Sequence, residues 1–203
     1  MQLLLSPTSP YARAVRIVMM IKGLDADCSV SWVDTSSDTP ELLQANPLSR
    51  IPTLILDDGT AITETLLIIQ YLERRAPQPS VLPNASALQE LSLAGKAIGI
   101  MDSALWIMNN RKYFAEQADE KSPLALRRIN AIKRTLAYFA EHPPHKVSTN
   151  PGMGQILLQV AIEYLEFRLP EFNALEASQL EGWGKSLLTL EPFQLTEFYQ
   201  PPK

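Results

Sequence analysis

Three short segments carry residue types that can hold and activate a small charged ligand. Ser9-Pro10-Tyr11-Ala12-Arg13 follows an apolar run and opens a helical pattern. The first N–H groups of a helix lack intrahelical partners and carry partial positive charge, so an anion bound there is stabilised. A hydroxyl at that point, from Ser9 or from its neighbours Thr8 and Tyr11, can donate to such an anion; equally, Ser9 can act only as a helix cap with Pro10 in the first turn. In Arg50-Ile51-Pro52-Thr53 a proline precedes a strand pattern and forces Ile51 toward extended backbone. A cis Ile51-Pro52 bond would turn the Ile51 N–H and C=O outward, where a peptide-like ligand pairs as a short extra strand, whereas a trans bond would make this an ordinary strand start. In Thr63-Glu64-Thr65 a carboxylate, a hydroxyl and free helix-start N–H groups come together. They can hold the ammonium and carboxylate of an amino acid, or simply cap the helix.

The elements around these segments follow from hydrophobic spacing. Residues 2–5 read as a short buried strand, and Val15, Val18 and Met19 give a helix face that stops at Gly23. Residues 28–33 alternate as a second strand, and a strand, helix and strand within about thirty residues form a right-handed βαβ unit with parallel strands. Residues 40–45 form a short helix, and residues 53–56 and 60–62 flank Asp57-Asp58-Gly59, a hairpin signal. A last helix opens at Glu64 with Leu67, Ile68, Tyr71 and Leu72 on its apolar side, and Arg74-Arg75 suit its C-terminal dipole. The order βαβαββα is that of a thioredoxin-like domain. All three chemical segments then fall at one edge of its sheet.

Prolines at 77, 79 and 83 mark residues 77–85 as a linker between a domain at 1–76 and a second at 86–203. Beyond it strand signals vanish, and helical patterns run through 88–110, 124–141, 153–167 and 178–190. The fold class is therefore α/β followed by an all-helical bundle.

Composition narrows the function classes. The 203 residues are 46% hydrophobic and 20% charged, enough to bury one or two ordinary cores. A formal charge of -4 disfavours nucleic acid and anionic membranes as partners. The apolar run at 1–5 is ended by Ser6-Pro7, too early for a signal peptide or a membrane span, so a cytoplasmic location is expected. Cys28 is the single cysteine, which excludes an internal disulfide, and its alternating context reads as a buried structural thiol. His142-Pro143-Pro144-His145 reads as an exposed loop and not as a metal clip, so no metal is expected.

With these motifs in hand, the chain resembles the cytosolic glutathione transferases, especially bacterial members that open with Ser-Pro-x-Ser-Pro-Tyr, here residues 6–11. The likeness extends through Asn46-Pro47-Leu48-Ser49-Arg50-Ile51-Pro52-Thr53-Leu54, Glu64-Thr65 and Tyr71-Leu72-Glu73 to Tyr164-Leu165-Glu166-Phe167-Arg168-Leu169-Pro170 near the end. The resemblance implies that glutathione is the cosubstrate and that Ser9 faces its sulfur, with Tyr11 or Thr8 as alternatives. It implies that Ile51 pairs with the cysteinyl backbone beside a cis Pro52, that Glu64 and Thr65 hold the γ-glutamyl end, and that Arg50 lies near the glycyl carboxylate. Asp102 would approach glutathione across a homodimer interface or remain a solvated residue. The second substrate, a small hydrophobic electrophile, is expected between the domains, with Tyr11, Trp106 and Tyr113 as aromatic walls; Met101, Trp106 and Met108 read equally well as bundle core.

The sequence departs from that family at Gly152 and Gln155, where a Ser/Thr and an Asp usually form a capping box, so a weakened helix start is expected near Met153. Serine at position 9 cannot form the mixed disulfide open to relatives with cysteine there, which argues against a thiol-exchange reductase. Conjugation of glutathione to an electrophile is the leading function. A non-catalytic interaction protein of the same fold and a glutathione-dependent peroxidase or isomerase are the alternatives.

Overall fold

The first strand, β1 (Gln2–Leu5), sinks three consecutive leucines into the interior. In the computed structural model, which describes residues 1–114, 119–147 and 150–200, it is the parallel and antiparallel centre of a four-stranded sheet. Helix α1 (Pro10–Ile21) starts at Ser9, whose Oγ accepts the Ala12 N–H at 3.2 Å, with Pro10 preset for the first turn. It stops where Gly23 takes φ of 63°. The Gly23 N–H then reaches the Met20 carbonyl at 2.9 Å and the Leu24 N–H reaches the Met19 carbonyl at 3.0 Å, the paired bonds of a Schellman stop. Strand β2 (Ser29–Trp32) runs parallel to β1, and helix α2 (Pro40–Ala45) leads to β3 (Thr53–Ile55), β4 (Ala61–Thr63) and helix α3 (Thr65–Arg75). The β3-β4 turn is closed by Gly59 at φ 84° and by a bond from the Leu56 N–H to the Thr60 carbonyl at 2.8 Å. The observed order is the βαβαββα read from the sequence, with sheet order β2-β1-β3-β4.

The chain divides into two compact units, Met1–Asn84 with Thr189–Lys203, and Ala85–Leu188. The prolyl segment read as a linker groups with the first unit as far as Asn84, and side chains of α1 and α3 fasten it there. Lys22 Nζ donates to the carbonyls of Ala76 and Pro79 at 2.9 and 2.8 Å and pairs with Glu73. Glu73 also accepts the Ser80 hydroxyl and the Val81 N–H. Partial burial pushes the Glu73 carboxyl up, but those hydrogen bonds and the Lys22 charge outweigh it and leave it below its ordinary value.

The sequence pattern also puts residues 189–203 with the second domain, whereas in the structure they group with the first. The cause is a buried arginine. Arg13 on α1 donates from Nη2 to the Phe193 carbonyl at 3.4 Å and from Nε to Thr196 Oγ1 at 3.5 Å, and its guanidinium lies 4.5 Å from the centre of the Phe198 ring. Helix α9 (Glu191–Gln194) therefore packs on α1.

In the second unit, α4 (Ala87–Phe114) packs on α5 (Pro123–Glu141) and α6 (Met153–Arg168), followed by the short α7 (Ala174–Ser178) and α8 (Glu181–Leu188). Helix α6 is apolar around most of its circumference and correspondingly buried. The residues 178–190 expected as one helix are interrupted by Gln179, left-handed at φ 55°, so α7 ends there and α8 starts afresh. Helix α4 is long and apolar enough by length and composition to cross a membrane, but its Leu93, Ala97, Ile100, Met101, Ala104 and Ile107 are core residues.

Candidate functional site

Strand register decides which segments meet. Leu4 pairs with Thr53 across β1 and β3, and Thr53 pairs with Thr63 across β3 and β4. The end of β1, the start of β3 and the end of β4 therefore lie side by side. The turn of residues 6–9, the Arg50-Ile51-Pro52 segment and the Glu64-Thr65 helix start all leave the sheet at this one end.

Each segment is built for its place. In the first, the Ser9 N–H closes a turn onto the Ser6 carbonyl at 3.3 Å, and Ser9 is half-buried, as are Thr8 and Tyr11. The Ser9 oxygen accepts from Ala12, which leaves its own O–H available as a donor. In the second, Asn46 is the organiser. Its Nδ2 donates to the Arg50 carbonyl at 2.9 Å and to Thr53 Oγ1 at 3.3 Å, while its Oδ1 accepts the Leu48 N–H at 3.1 Å. Thr53, fully buried, donates in turn to the Arg50 carbonyl at 2.8 Å. The Ile51-Pro52 peptide is cis, and Ser49 is left-handed at φ 52°. Sequence reasoning gave no role to Asn46 or to the Thr53 hydroxyl. The available signal was an asparagine just past a short helix, a residue that bonds readily to nearby backbone.

In the third segment Glu64 has φ of 68°, a left-handed conformation that a side chain makes costly, on the order of 1–3 kcal/mol. Such strain concentrates where a side chain must be presented for binding. The Glu64 carbonyl accepts the Ile68 N–H at 3.0 Å, so the residue is locked onto α3 despite the strain. Its carboxylate meets Arg50 Nη1 at 3.4 Å. Both side chains are largely exposed, so the pair contributes about 0–1 kcal/mol and separates readily when a ligand offers better partners. Thr65, the first residue of α3, is buried.

The structure thus brings Arg50 to Glu64, beside Thr65, at the end of the sheet from which Ser9 also departs. On α4, Trp106 is half-buried and Tyr113 is 60% exposed, and seven residues' separation puts them on one face of the helix. Asp102 is exposed and Met101 fully buried. Cys28 is half-buried just before β2, not the fully buried thiol expected, and burial pushes its thiol up.

The His142-to-His145 segment is the exposed loop expected, and it carries two side-chain contacts that its sequence does not announce. His142 stacks on Tyr138, and His145 Nε2 lies 2.9 Å from the buried Glu90 carboxylate. Glu90 also accepts the N–H groups of Gly154 and Gln155, so it caps α6, while Gln155 reaches back to the Gly152 N–H at 3.2 Å. The start of α6 expected to be weak is thereby held from another helix. Among the described residues no group of three or more His, Cys, Asp or Glu is placed to hold a metal.

Residues 3–80 match the family model for the glutathione S-transferase N-terminal domain. The GST-like protein YibF of Escherichia coli is 27% identical over the full length of both chains. Glutathione S-transferase 1 of Dianthus caryophyllus is 35% identical over 76% of this chain and 71% of its own. The chain belongs to the glutathione S-transferase family. A glutathione transferase family member from Pseudomonas fluorescens Pf-5, solved with bound glutathione, superposes with a TM-score of 0.83 at 26% identity, over 100% of this chain and 99% of that one. The thioredoxin-like domain and the helical region after it are those of the family.

Proposed function

We propose that this glutathione S-transferase family member binds glutathione at the Ser9, Arg50, Glu64 end of its sheet and transfers the thiolate to a small hydrophobic electrophile. The observation that carries the reading is the register Leu4, Thr53, Thr63, which draws a capped helix start, an extended backbone edge and a strained carboxylate to one end. In this reading Ile51 offers its backbone to the cysteinyl unit beside Pro52, Glu64 takes the γ-glutamyl ammonium, and Thr65 with its N–H takes the adjoining carboxylate. Arg50 leaves Glu64 for the glycyl carboxylate.

The chemistry then depends on charge at sulfur. A thiol of pKa about 8.5 is only about 3% ionised at pH 7, and lowering it by roughly two units takes about 2.7 kcal/mol. The free O–H of Ser9 and the positive end of α1 act in the same direction, each worth about 1–3 and 0.3–1 kcal/mol. Serine is a stabiliser in this scheme, and the sulfur of glutathione is the nucleophile. Tyr11 and Thr8 are the alternative donors. No metal takes part.

Trp106 and Tyr113 on α4 are proposed as apolar surface for the electrophile. A homodimer is proposed as the working form, with Asp102 approaching glutathione across its interface; the exposed Leu66 and Leu67 on α3 are apolar surface that such an interface would cover. The location proposed is cytoplasmic, with neither nucleic acid nor membrane as partner.

Calorimetry with glutathione tests the binding site, and ultraviolet titration of the bound thiolate tests the mechanism. Ser9→Ala is expected to retain most of the affinity but to raise the pH at which the thiolate appears, because the lost donor favoured the charged form. An unchanged titration would pass the role to Tyr11 or Thr8. No glutathione binding by the wild type would leave the fold serving as an interaction module. Turnover of hydroperoxides or of a maleyl-type substrate, with aryl halides inert, would replace conjugation by peroxidase or isomerase activity.

A further inference from the structure

The reading above leaves unused a buried charge one turn from Ser9. Arg13 is 3% exposed, and its N–H closes the first turn of α1 onto the Ser9 carbonyl at 3.0 Å, so its backbone and the Ser9 cap are parts of one hydrogen-bonded turn. Its side chain is spent on the C-terminal segment: the Phe193 carbonyl, the Thr196 hydroxyl and the face of Phe198. Thr196 is itself set, donating to the Pro192 carbonyl at 2.7 Å. Three residues along the helix, Arg16 lies 5.5 Å from the centre of the Trp32 ring, and Tyr199 meets that ring edge-on at 6.2 Å. Positions 13 and 16 share a helix face. The segment from Phe193 to Tyr199 thus covers one side of the first two turns of α1, while α3 packs on the helix as well.

We infer that the C-terminal segment is a brace that sets the first turn of α1, with Arg13 as the positioning residue through which it fixes the direction of the Ser9 hydroxyl. A guanidinium suits this task because its rigid planar fork meets a carbonyl, a hydroxyl and a ring face together, which an ammonium does not. A hydrogen bond to a thiolate weakens steeply once its donor swings off line, so a first turn left loose would keep glutathione bound yet ionise its sulfur less. The functional part of the inference rests on the proposed glutathione site; the structural part does not.

The test uses the full chain carrying Thr196→Ala, Phe198→Ala or Arg13→Lys, with Thr196→Ser as the conservative control. Without ligand, the backbone amides at positions 12 and 13 should exchange with solvent about tenfold faster in the first three variants, while the Ile68 amide of α3 keeps its wild-type rate. With glutathione, the thiolate midpoint should rise by about half a unit to one unit, leaving roughly three- to tenfold less thiolate at a given pH. Thr196→Ser should behave as wild type. In a Ser9→Ala background the same substitutions should no longer move the midpoint. Unchanged exchange at positions 12 and 13 overturns the brace. A midpoint that rises equally with and without the Ser9 hydroxyl, or that Arg13→Lys leaves in place, overturns its action through Ser9 and assigns the effect to charge. Should wild type fail to bind glutathione, the proposed function falls, and the exchange rates alone still decide whether the brace exists.

Discussion

The first turn of α1 is satisfied from within, by a serine three residues from the N–H it caps. The first turn of α6 is satisfied from a residue 64 positions away, the carboxylate of Glu90 on α4, which accepts the Gly154 N–H at 2.8 Å and the Gln155 N–H at 3.3 Å. Both arrangements meet the same need for partners at a helix start. The local cap is half-buried and retains an unused O–H, so it can still act on a ligand. The remote cap is buried, and His145 takes its second oxygen, so its bonding capacity goes into joining α4, α6 and the segment before α6. Each helix start occurs with a different side chain at the cap position for this reason. Serine at position 9 supplies the bond itself, whereas glycine at 152 supplies room for another residue to do so.

Breaking the remote cap from the glycine side should have the largest effect. A Cβ placed on Gly152 would lie 2.1 to 2.3 Å from all three atoms of the Glu90 carboxylate group. The backbone there, φ −74° and ψ 162°, suits any residue, so the cost comes from the displaced carboxylate and not from strain. Gly152→Ala is expected to destabilise the protein by about 4 kcal/mol, on the order of 10 °C in the unfolding midpoint, because a buried charge loses its partners. In a Glu90→Ala background the same substitution should cost little, and equal costs in the two backgrounds would disprove the contact.

Removing the carboxylate comes next. Glu90→Ala strands two first-turn N–H groups and leaves a void, for a loss of about 3 kcal/mol, while Glu90→Gln keeps one accepting oxygen and should lose about half as much. Chemical denaturation of the two variants ranks them. Equal losses would mean that the carboxylate charge, which both variants remove, matters at this position, and neither the filled space nor the one retained oxygen does.

These two regions also mark how far the sequence can be read. The cap and boundaries of α1 were legible, because cap, proline and apolar spacing lie within one turn of each other, and the Gly23 stop and Gly59 turn are similarly local. The element order followed from the βαβ spacing and the hairpin turn, whereas the sheet order β2-β1-β3-β4 appears only in the structure. Glu90 was illegible as a cap: nothing near residue 90 points to a helix 64 residues on, and Gly152 alone reads as a defect. Asn46 stood in a recognisable motif, yet its hold on Arg50 and Thr53 appears only when the loop closes. The break at Gln179 has no glycine or asparagine to announce it, and the return of residues 189–203 to the first unit depends on where Arg13 points.

The smallest effect belongs to the local cap. Ser9→Ala removes the acceptor of the Ala12 N–H and should cost about 1 kcal/mol of stability, roughly 2–4 °C, whereas Ser9→Gly should cost only a few tenths of a kcal/mol because glycine leaves the N–H open to water. Ser9→Thr should match wild type in thermal unfolding, since it keeps an oxygen in capping position. The ranking separates structure from chemistry at this residue. Glycine should preserve the fold nearly as well as serine, yet neither glycine nor alanine can donate to a thiolate. Variants at position 9 should therefore fall in different orders when ranked by melting and by thiolate titration; one order for both would reduce Ser9 to its capping role.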